Sequence, residues 1–418
     1  MQRIVVVGAG FAGLWAAIGA ARLRAEAGCD DAVEILVLTR TPDHGIRVRF
    51  YESDLSPATV PLASLLPPVG VKFRVGEVTA IDPAERSVVF APADAAAAGG
   101  PSVETIAFDR LVLAAGSALV RPAVAAAQPI FDVDTCAAAH ALDRHLAGLA
   151  ALPPSPGRFT AIVIGGGFTG IEVASELIGR LRRLARDAGS DTPARVILVD
   201  RGAIAATLGA TPRPTILAAL TAQGIEWREQ VEIDRIYADS VVLAVPPRGS
   251  ERLFCATLVA TAGLRASRLT FDLSRDLDRL GRLPVDRHLR IIGHPACFAA
   301  GDVARALVDP THTSLMSCQH ARPQGRIAGH NVAADLLGRP LIDYRQEDYV
   351  TVLDLGSWGA LYMQGWDRQI VAEGEAAKRT KQDINHRRIY PPTGGDPALL
   401  LAAAAPVIQA VPRPGGGG

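Results

Sequence analysis

Residues 3–13 read RIVVVGAGFAG, an apolar run followed at once by a GxGxxG turn. The β-branched run predicts a strand buried on both faces, and the Ala- and Leu-rich stretch that ends near Gly28 predicts a helix. Gly8 permits the tight turn, Gly10 lets a pyrophosphate approach the backbone, and Gly13 lets helix and strand pack closely. A strand, this turn and a helix in that order predict a dinucleotide-binding βαβ unit.

A second copy of the pattern lies in the middle of the chain. Residues 160–170 read TAIVIGGGFTG, and a helix is expected from there to about Ala188. The next strand, residues 196–199, ends in Asp200, which can accept hydrogen bonds from a ribose 2′-OH and would repel a 2′-phosphate. The second unit is therefore predicted to prefer NADH to NADPH, although Arg201 beside it weakens that preference.

The first copy departs from the pattern at the corresponding place. Its second strand, residues 33–38, ends in Thr39 and Arg40 where an acid is expected. A hydroxyl binds a ribose more weakly than a carboxylate does. The alternative for both copies is a glycine turn that shapes a βαβ unit and binds nothing.

Length and composition limit the function classes. The 418 residues suffice for two or three domains, and Lys+Arg 43 balances Asp+Glu 43, which argues against nucleic-acid binding by charge. The five cysteines are widely spaced with no CxxC pair, so a disulfide framework, a zinc site and a dithiol redox centre are not expected. No metal site is predicted.

The ends of the chain bear on localisation. The first strand begins at Arg3, which leaves no room for a signal peptide, so we expect a cytoplasmic protein. The longest apolar candidate, residues 398–411, is interrupted by Pro406 and is too short to span a bilayer.

Three further stretches resemble the two-dinucleotide flavoprotein superfamily. They are LVLAAGS at residues 111–117, LVATAG at 258–263 and FAAGD at 298–302. In that superfamily FAD lies on the first Rossmann unit and the nicotinamide nucleotide on an inserted second one. The resemblance implies that Asp302 binds the ribityl chain of the flavin.

Within the superfamily the chain is most similar to type II NADH dehydrogenases, which are NADH:quinone oxidoreductases. Residues 318–325, CQHARPQG, are similar to their AQxAxQ segment beside the flavin, and residues 167–172, GFTGIE, to their nucleotide turn. The resemblance covers about residues 3–335. Cys318 and Pro323 depart from it, and the sequence after about residue 345 matches the family's membrane-anchoring tail poorly.

These observations predict an α/β fold with two Rossmann-like dinucleotide-binding domains and a C-terminal α+β cap. The FAD-binding domain is expected at residues 1–118 and 266–345, with the NAD domain and its linker inserted at 119–265. Residues 346–418 form the C-terminal region, with a flexible tail from about residue 412.

The cofactor contacts expected from the motifs and the resemblance are spread over both units. They are Gly8, Gly10, Phe11, Ala12, Gly13, Thr39, Arg40, Val78, Ala115, Gly116, Gly165, Gly167, Phe168, Thr169, Gly170, Asp200, Arg201, Gly263, Gly301, Asp302, His320 and Ala321. For His320 the alternative is a side chain that faces solvent.

Glu172 and Gln319 are the predicted catalytic residues. A carboxyl group at Glu172, in a dry cleft, can hold or relay a proton, and the alternative is a residue that caps its helix. Gln319 can donate its amide to a quinone carbonyl, and the alternative is a polar residue that packs on its helix.

The C-terminal region is predicted to contain strands at residues 349–355 and 360–363 and a helix from about Ile370. That helix carries Lys378, Arg379, Lys381, Arg387 and Arg388, and an apolar helix follows it. A basic helix beside an apolar one is compatible with peripheral contact with an anionic membrane surface. The alternative is a solvated basic face and an apolar helix that packs on the FAD domain or on the partner subunit of a homodimer.

The predicted reaction passes a hydride from NADH to FAD and electrons onward to a quinone. Two alternatives stay open. One is a soluble FAD reductase with a protein or small-molecule acceptor. The other is a flavoprotein that senses NADH and turns over slowly.

Overall fold

The computed structural model describes residues 1–94, 102–247 and 249–415. The expected tail from about residue 412 thus falls partly outside the described residues. A seven-stranded sheet forms the first layer, in the spatial order β19-β8-β1-β2-β5-β6-β7. Its strands are β1 (Gln2–Val7), β2 (Val33–Thr39), β5 (Lys72–Asp82), β6 (Ser87–Pro92), β7 (Glu104–Ala107), β8 (Arg110–Leu113) and β19 (Cys297–Ala299).

Strand β1 pairs in parallel with β2 on one side and with β8 on the other. Ile4 to Val7 are at most 3% exposed, as expected for a central strand covered on both faces. Gly8 follows at φ +103°, a conformation that side chains with a Cβ rarely adopt. This turn leads into helix α1 (Phe11–Glu26).

Helix α1 packs along α5 (Cys318–Leu336). The two backbones touch where Gly325 faces Ala12 and Gly329 faces Ala16, and a methyl group on either glycine would collide with the opposite backbone. The glycines therefore let a helix from the end of the FAD half lie directly on the first dinucleotide helix.

A four-stranded parallel sheet, in the order β12-β11-β10-β16, belongs to the second dinucleotide unit. Its strands are β10 (Thr160–Ile164), β11 (Arg195–Val199), β12 (Glu226–Arg228) and β16 (Thr257–Ala260), and its helices are α2 (Cys136–Gly148), α3 (Phe168–Asp187) and α4 (Arg213–Ala222). An antiparallel sheet of β13 (Glu232–Ile236), β14 (Ser240–Val245) and β15 (Gly249–Phe254) is attached to it.

Short strand pairs complete the first half. The antiparallel pair β9 (Ser117–Leu119) and β17 (Leu264–Ala266) carries the chain out to the second unit and back. The others are β3 (Asp43–Gly45) with β4 (Thr59–Pro61), and β18 (Leu283–Pro284) with β20 (Ala304–Arg305). The predicted domain bounds agree with this path but stay a prediction.

The C-terminal region is an antiparallel sheet of β21 (Val350–Asp354), β22 (Ala360–Gln364) and β23 (Gln369–Glu373), followed by α6 (Gly374–Asp383). A π-helical turn, Ile384–Arg388, and α7 (Pro397–Ala403) come after it. The predicted helix start at Ile370 is wrong, because residues 369–373 alternate in exposure as the edge strand β23.

Candidate functional site

Both glycine turns open toward a single cavity of about 750 Å³. Its walls come from the start of α1, the start of α3, the first turns of α5 and the C-terminal region. Because parallel strands place the following turns at one edge of a sheet, the two dinucleotide units bring their ligand-binding edges together here.

The α1 side of the cavity fits a diphosphate. Gly10 is the N-cap of α1, no acidic side chain lies in the first turn, and a Cβ at Gly10 would meet no atom within 4 Å. Helix N–H groups without internal partners bind anions at such a terminus. The residues present therefore fit the pyrophosphate of FAD.

Asp302 also lies in the cavity wall, and the neighbouring Gly301 packs against Ala12 at the start of α1. Its Oδ2 accepts hydrogen bonds from Ser117 Oγ at 2.7 Å and from Arg47 at 3.4 Å. Burial raises the pKa of this carboxyl, while Ser117 and Arg47 oppose the rise. The carboxylate has acceptor capacity left for the hydroxyls of a ribityl chain.

The turn that carries Asp302 is held from α5. Gln324, which is fully buried, accepts a hydrogen bond from Gly301 N at 2.7 Å. On this helix it is Gln324, and not the predicted catalytic residue Gln319, that holds the backbone of the turn next to Asp302.

Asp200 lies at the end of β11, as predicted, but its carboxylate is already bound to the backbone. Its Oδ2 accepts from Gly166 N and its Oδ1 from Gly202 N, both at 2.6 Å. Each oxygen keeps one further lone pair, so a ribose hydroxyl can still be accepted. Asp200 thus shapes the glycine turn as well as offering its charge to a nucleotide.

Glu172 lies in the second turn of α3 and is 4% exposed. Its Oε1 is 2.8 Å from Lys381 Nζ and accepts a hydrogen bond from Asp354 N at 3.1 Å. Burial raises the pKa of Glu172 to about 7, against the opposing effect of Lys381. A carboxyl that titrates near neutral pH in a cavity wall suits proton transfer.

Behind this pair lies a second carboxylate, Asp354. It accepts hydrogen bonds from Tyr51 Oη at 3.0 Å and from Lys378 Nζ at 2.5 Å. The side chain of Lys378 is 21% exposed, so the cluster of Glu172, Lys381, Asp354, Tyr51 and Lys378 extends from the cavity to the surface.

Gln319 lines the cavity, but its amide is engaged with the backbone of strand β21. Its NH₂ group donates to Val350 O at 2.6 Å and its oxygen accepts from Val350 N at 3.2 Å. A contact with a quinone carbonyl would use the remaining N–H or a change of rotamer.

His320 does not face solvent, so the alternative considered for this residue is wrong. Its ring is fully buried, lies outside the cavity wall and contacts Gln346 Oε1 at 3.3 Å. The reason is that the C-terminal sheet covers this side of α5, and Tyr349 stacks on the ring.

The predicted site residues divide into two sets. Those in the cavity wall are Gly10, Phe11, Ala12, Gly116, Phe168, Thr169, Glu172, Gly301, Asp302, Gln319 and Ala321. Those outside it are Gly8, Gly13, Thr39, Arg40, Val78, Ala115, Gly165, Gly167, Gly170, Asp200, Arg201, Gly263 and His320. The cavity therefore lies between the starts of the two dinucleotide helices, and the predicted contacts of the adenosine ends lie outside its wall.

Sequence reasoning missed two members of the wall and misread a third. Arg47, which contacts Asp134 and Asp302, lies in a segment after the second strand that contains no recognised motif. No sequence motif marked Tyr51 as a site residue. Lys381 was predicted to lie on a basic surface. The chain has only three lysines, and this rarity was the one sequence signal that pointed to a special role for Lys381.

The C-terminal basic stretch is accordingly not a uniform exposed face. Lys381 is 6% exposed and Lys378 is bound to Asp354, whereas the Arg379 and Arg387 side chains are 58% and 67% exposed. Among the described residues, no helix is both long and apolar enough to cross a bilayer.

Two nucleotide turns facing one cavity, the second unit being inserted into the first, define an oxidoreductase of the class that works with FAD and a nicotinamide nucleotide. The chain belongs to the pyridine nucleotide-disulphide oxidoreductase family, whose model matches residues 2–325. The predicted fold class and family are thereby confirmed.

Similar proteins include an NADH dehydrogenase-like protein of Mycobacterium tuberculosis, 49% identical over 99% of this chain and 100% of its own length. A type II NADH:quinone oxidoreductase of Staphylococcus epidermidis is 27% identical over 93% of this chain and 95% of its own. Among solved structures, NDH2 from Plasmodium falciparum in complex with NADH has a TM-score of 0.76 at 11% identity, covering 96% of this chain and 97% of its own.

Proposed function

We propose that this chain oxidises NADH through FAD and reduces a quinone. The observation that carries the proposal is the Glu172–Lys381 pair, which lies in the wall of the cavity that both glycine turns share. The relative named as a type II NADH:quinone oxidoreductase supports the same acceptor.

The flavin supplies the hydride and electron chemistry when bound, and the chain must supply a proton. NADH delivers two electrons and one proton as hydride, whereas a quinone reduced to the quinol takes up two protons. The second proton comes from solvent. In this proposal Lys378 and Asp354 lie between solvent and the Glu172–Lys381 pair, and Glu172 or Lys381 releases the proton beside the acceptor.

We assign the preference for NADH over NADPH to Asp200. We assign the positioning of the nucleotide to the second glycine turn. Thr261 Oγ1 donates to Ile164 O at 2.9 Å, which braces the strand end from which that turn leaves. Phe168 and Thr169 lie in the cavity wall, and we assign the contact with the nicotinamide to them.

Dithiol chemistry does not fit the cavity. Of the cysteines, which are all free, only Cys318 belongs to the described cavity wall. A disulfide reductase needs two sulfur atoms beside the flavin, so the site favours direct reduction of an acceptor that enters the cavity.

Anaerobic stopped flow tests the function. NADH should reduce the bound flavin, and a short-chain ubiquinone should then reoxidise it much faster than oxygen does. If the flavin is reduced but the quinone leaves it reduced, a soluble protein or small-molecule acceptor replaces the quinone.

Peripheral membrane contact through the C-terminal region is a further part of the proposal. Leu399 and Val407 are 55% and 56% exposed, and the exposed guanidinium groups of Arg379 and Arg387 lie in the same region of the chain. Co-sedimentation with anionic liposomes at low salt should recover the protein in the pellet. Protein that stays in the supernatant would refute this contact. The homodimer stays a prediction.

A further inference from the structure

Helix α5 carries two arginines, Arg322 and Arg326, that line the cavity one and two turns beyond Cys318. They are 8% and 2% exposed. Neither guanidinium forms a hydrogen bond or an ion pair within the described part of the chain, and the Nε atoms of both are buried without a partner. Both lie over Trp15, whose ring centroid is 5.8 Å from Arg322 Cζ and 4.4 Å from Arg326 Cζ.

Burying two unpaired guanidinium groups costs free energy unless a ligand binds them. A guanidinium has five N–H donors, and the face of an indole ring satisfies none of them directly. Burial lowers the pKa of Arg322 to about 10 and that of Arg326 to about 9, so both groups stay charged at neutral pH. Buried charges in proteins are normally paired.

The acids of the cavity cannot serve as partners, because each is already paired. Among the described wall residues, Asp134 and Asp302 contact Arg47, and Glu172 contacts Lys381. Arg388, which donates to Ala410 O, adds positive charge close to Arg322. This end of the cavity is therefore cationic, while its other walls here, Val48, Ile384 and Ile389, are apolar.

Both arginines lie near the first half of α1. Arg326 stacks on Trp15, one helical turn after the start of α1. Burial lowers the pKa of His44, and Arg322 is close enough to add to this effect, while His44 Nδ1 contacts Ala9 O in the glycine turn. The diphosphate of FAD is therefore the competing partner of these guanidinium groups, and FAD retention in the variants below distinguishes it from the acceptor.

We propose that Arg322 and Arg326 form an anion subsite of the acceptor cavity, and that the acceptor is a quinoid molecule with a negatively charged substituent such as a carboxylate or phosphate. This inference rests on the proposed function, because that function makes the bound molecule an electron acceptor. The apolar walls contact the ring, and the two guanidinium groups bind the charged group by ionic hydrogen bonds.

The test compares 1,4-naphthoquinone with 1,4-naphthoquinone-2-sulfonate in the FAD-loaded protein, Arg322→Gln and Arg326→Gln. Arg186→Gln is the matched control, since its side chain is 74% exposed on α3 and the charge change is the same. Each arginine variant should lose about tenfold in kcat/KM for the sulfonate and less than twofold for the neutral quinone. The kcat/KM of each variant is divided by the wild-type value for the same quinone, so the different reduction potentials of the two quinones cancel.

Binding of naphthalene-2-sulfonate, which accepts no electrons, gives a readout that does not depend on turnover. Its Kd, followed by the flavin absorption spectrum, should rise about tenfold in Arg326→Gln and recover partly in Arg326→Lys. If the wild type binds this anion but reduces neither quinone, the anion subsite stands and the proposed function fails.

Two results would overturn the anion subsite. One is an equal change for both quinones, with an unchanged Kd for naphthalene-2-sulfonate, which would make the arginines packing residues. The other is loss of FAD from both variants, which would assign the guanidinium groups to the cofactor diphosphate.

Discussion

At the scale of single residues, the role of each carboxyl group depends on its burial and on its hydrogen-bond partners. Glu172 is buried and its pKa is raised to about 7, whereas Asp200 is held by two backbone amides at the edge of its sheet. The first suits proton exchange near neutral pH. The second holds the glycine turn of the inserted unit in shape.

Replacing Glu172 with Gln should slow quinone reduction by about 100-fold or more while NADH still reduces the flavin. The carboxyl group is protonated below its pKa of about 7, so the wild-type rate of quinone reduction should fall as the pH rises through about 7. Stopped-flow reoxidation between pH 5.5 and 9 should show that fall in the wild type and a flat profile in Glu172→Gln. Glu176→Gln, one turn further along α3 and outside the cavity wall, is the control. An unchanged profile in Glu172→Gln would contradict the role.

Replacing Asp200 with Asn should reduce the preference for NADH over NADPH, because the repulsion of a 2′-phosphate is lost while one oxygen acceptor for the turn remains. We expect the ratio of kcat/KM values for the two nucleotides to fall by roughly tenfold. Steady-state kinetics with both nucleotides measure it. Asp187→Asn, whose side chain is 72% exposed, should leave the ratio as it is. Equal discrimination in Asp200→Asn and the wild type would remove Asp200 from the specificity site.

At the scale of elements, the last described segment covers the cavity instead of extending away from it. Residues 408–412 belong to the cavity wall, Tyr362 Oη donates to Pro412 O at 2.6 Å, and Arg388 donates to Ala410 O. We call residues 407–413 the C-terminal strap. The strap lies against the C-terminal sheet and shields the cavity from solvent.

A chain shortened to end at Pro406 should let oxygen and water reach the flavin more easily. Its NADH oxidase rate in air should rise severalfold, because a closed site suppresses such side reactions. Oxygen consumption with NADH measures the change. Tyr362→Phe, which removes one hydrogen bond to the strap, should give a smaller rise, and a chain that ends at Arg413 should behave as the wild type. No rise after removal of the strap would show that it does not close the cavity.

At the scale of the whole molecule, the C-terminal region is joined to the inserted nucleotide domain through buried charge. Lys381 on α6 binds Glu172 on α3, and Tyr51 from the FAD half binds Asp354 on β21. Three parts of the chain thus meet in one cluster, and the cavity wall depends on all of them.

Lys381→Met should destabilise the protein by about 3 kcal/mol, because it leaves the Glu172 carboxyl buried without a cation. The double variant Glu172→Gln/Lys381→Met should be more stable than the single one, since neither member then carries an unpaired charge. Urea unfolding of the FAD-loaded protein measures both. Lys378→Met should cost less, because the side chain is 21% exposed. A double variant as unstable as the sum of both singles would exclude coupling.

The sequence by itself determined the two dinucleotide units, because their information is local. An apolar strand, glycines at fixed spacing and an Ala- or Leu-rich helix are consecutive, so turn residues such as Gly8 and Gly10 could be named directly. Asp302 was named only through the family resemblance. The edge strand β23 was mistaken for helix because its five residues carry no distinctive period.

Only the tertiary structure decided which charges meet. Lys381 and Glu172 are far apart in the chain, and so are Arg47 and Asp302, and no spacing rule connects such pairs. The burial of Arg322 and Arg326 likewise depends on how α5 lies against Trp15. Burial and long-range contact set the pKa values and the charge of the cavity, so the proton path and the anion subsite appear only once the chain is folded.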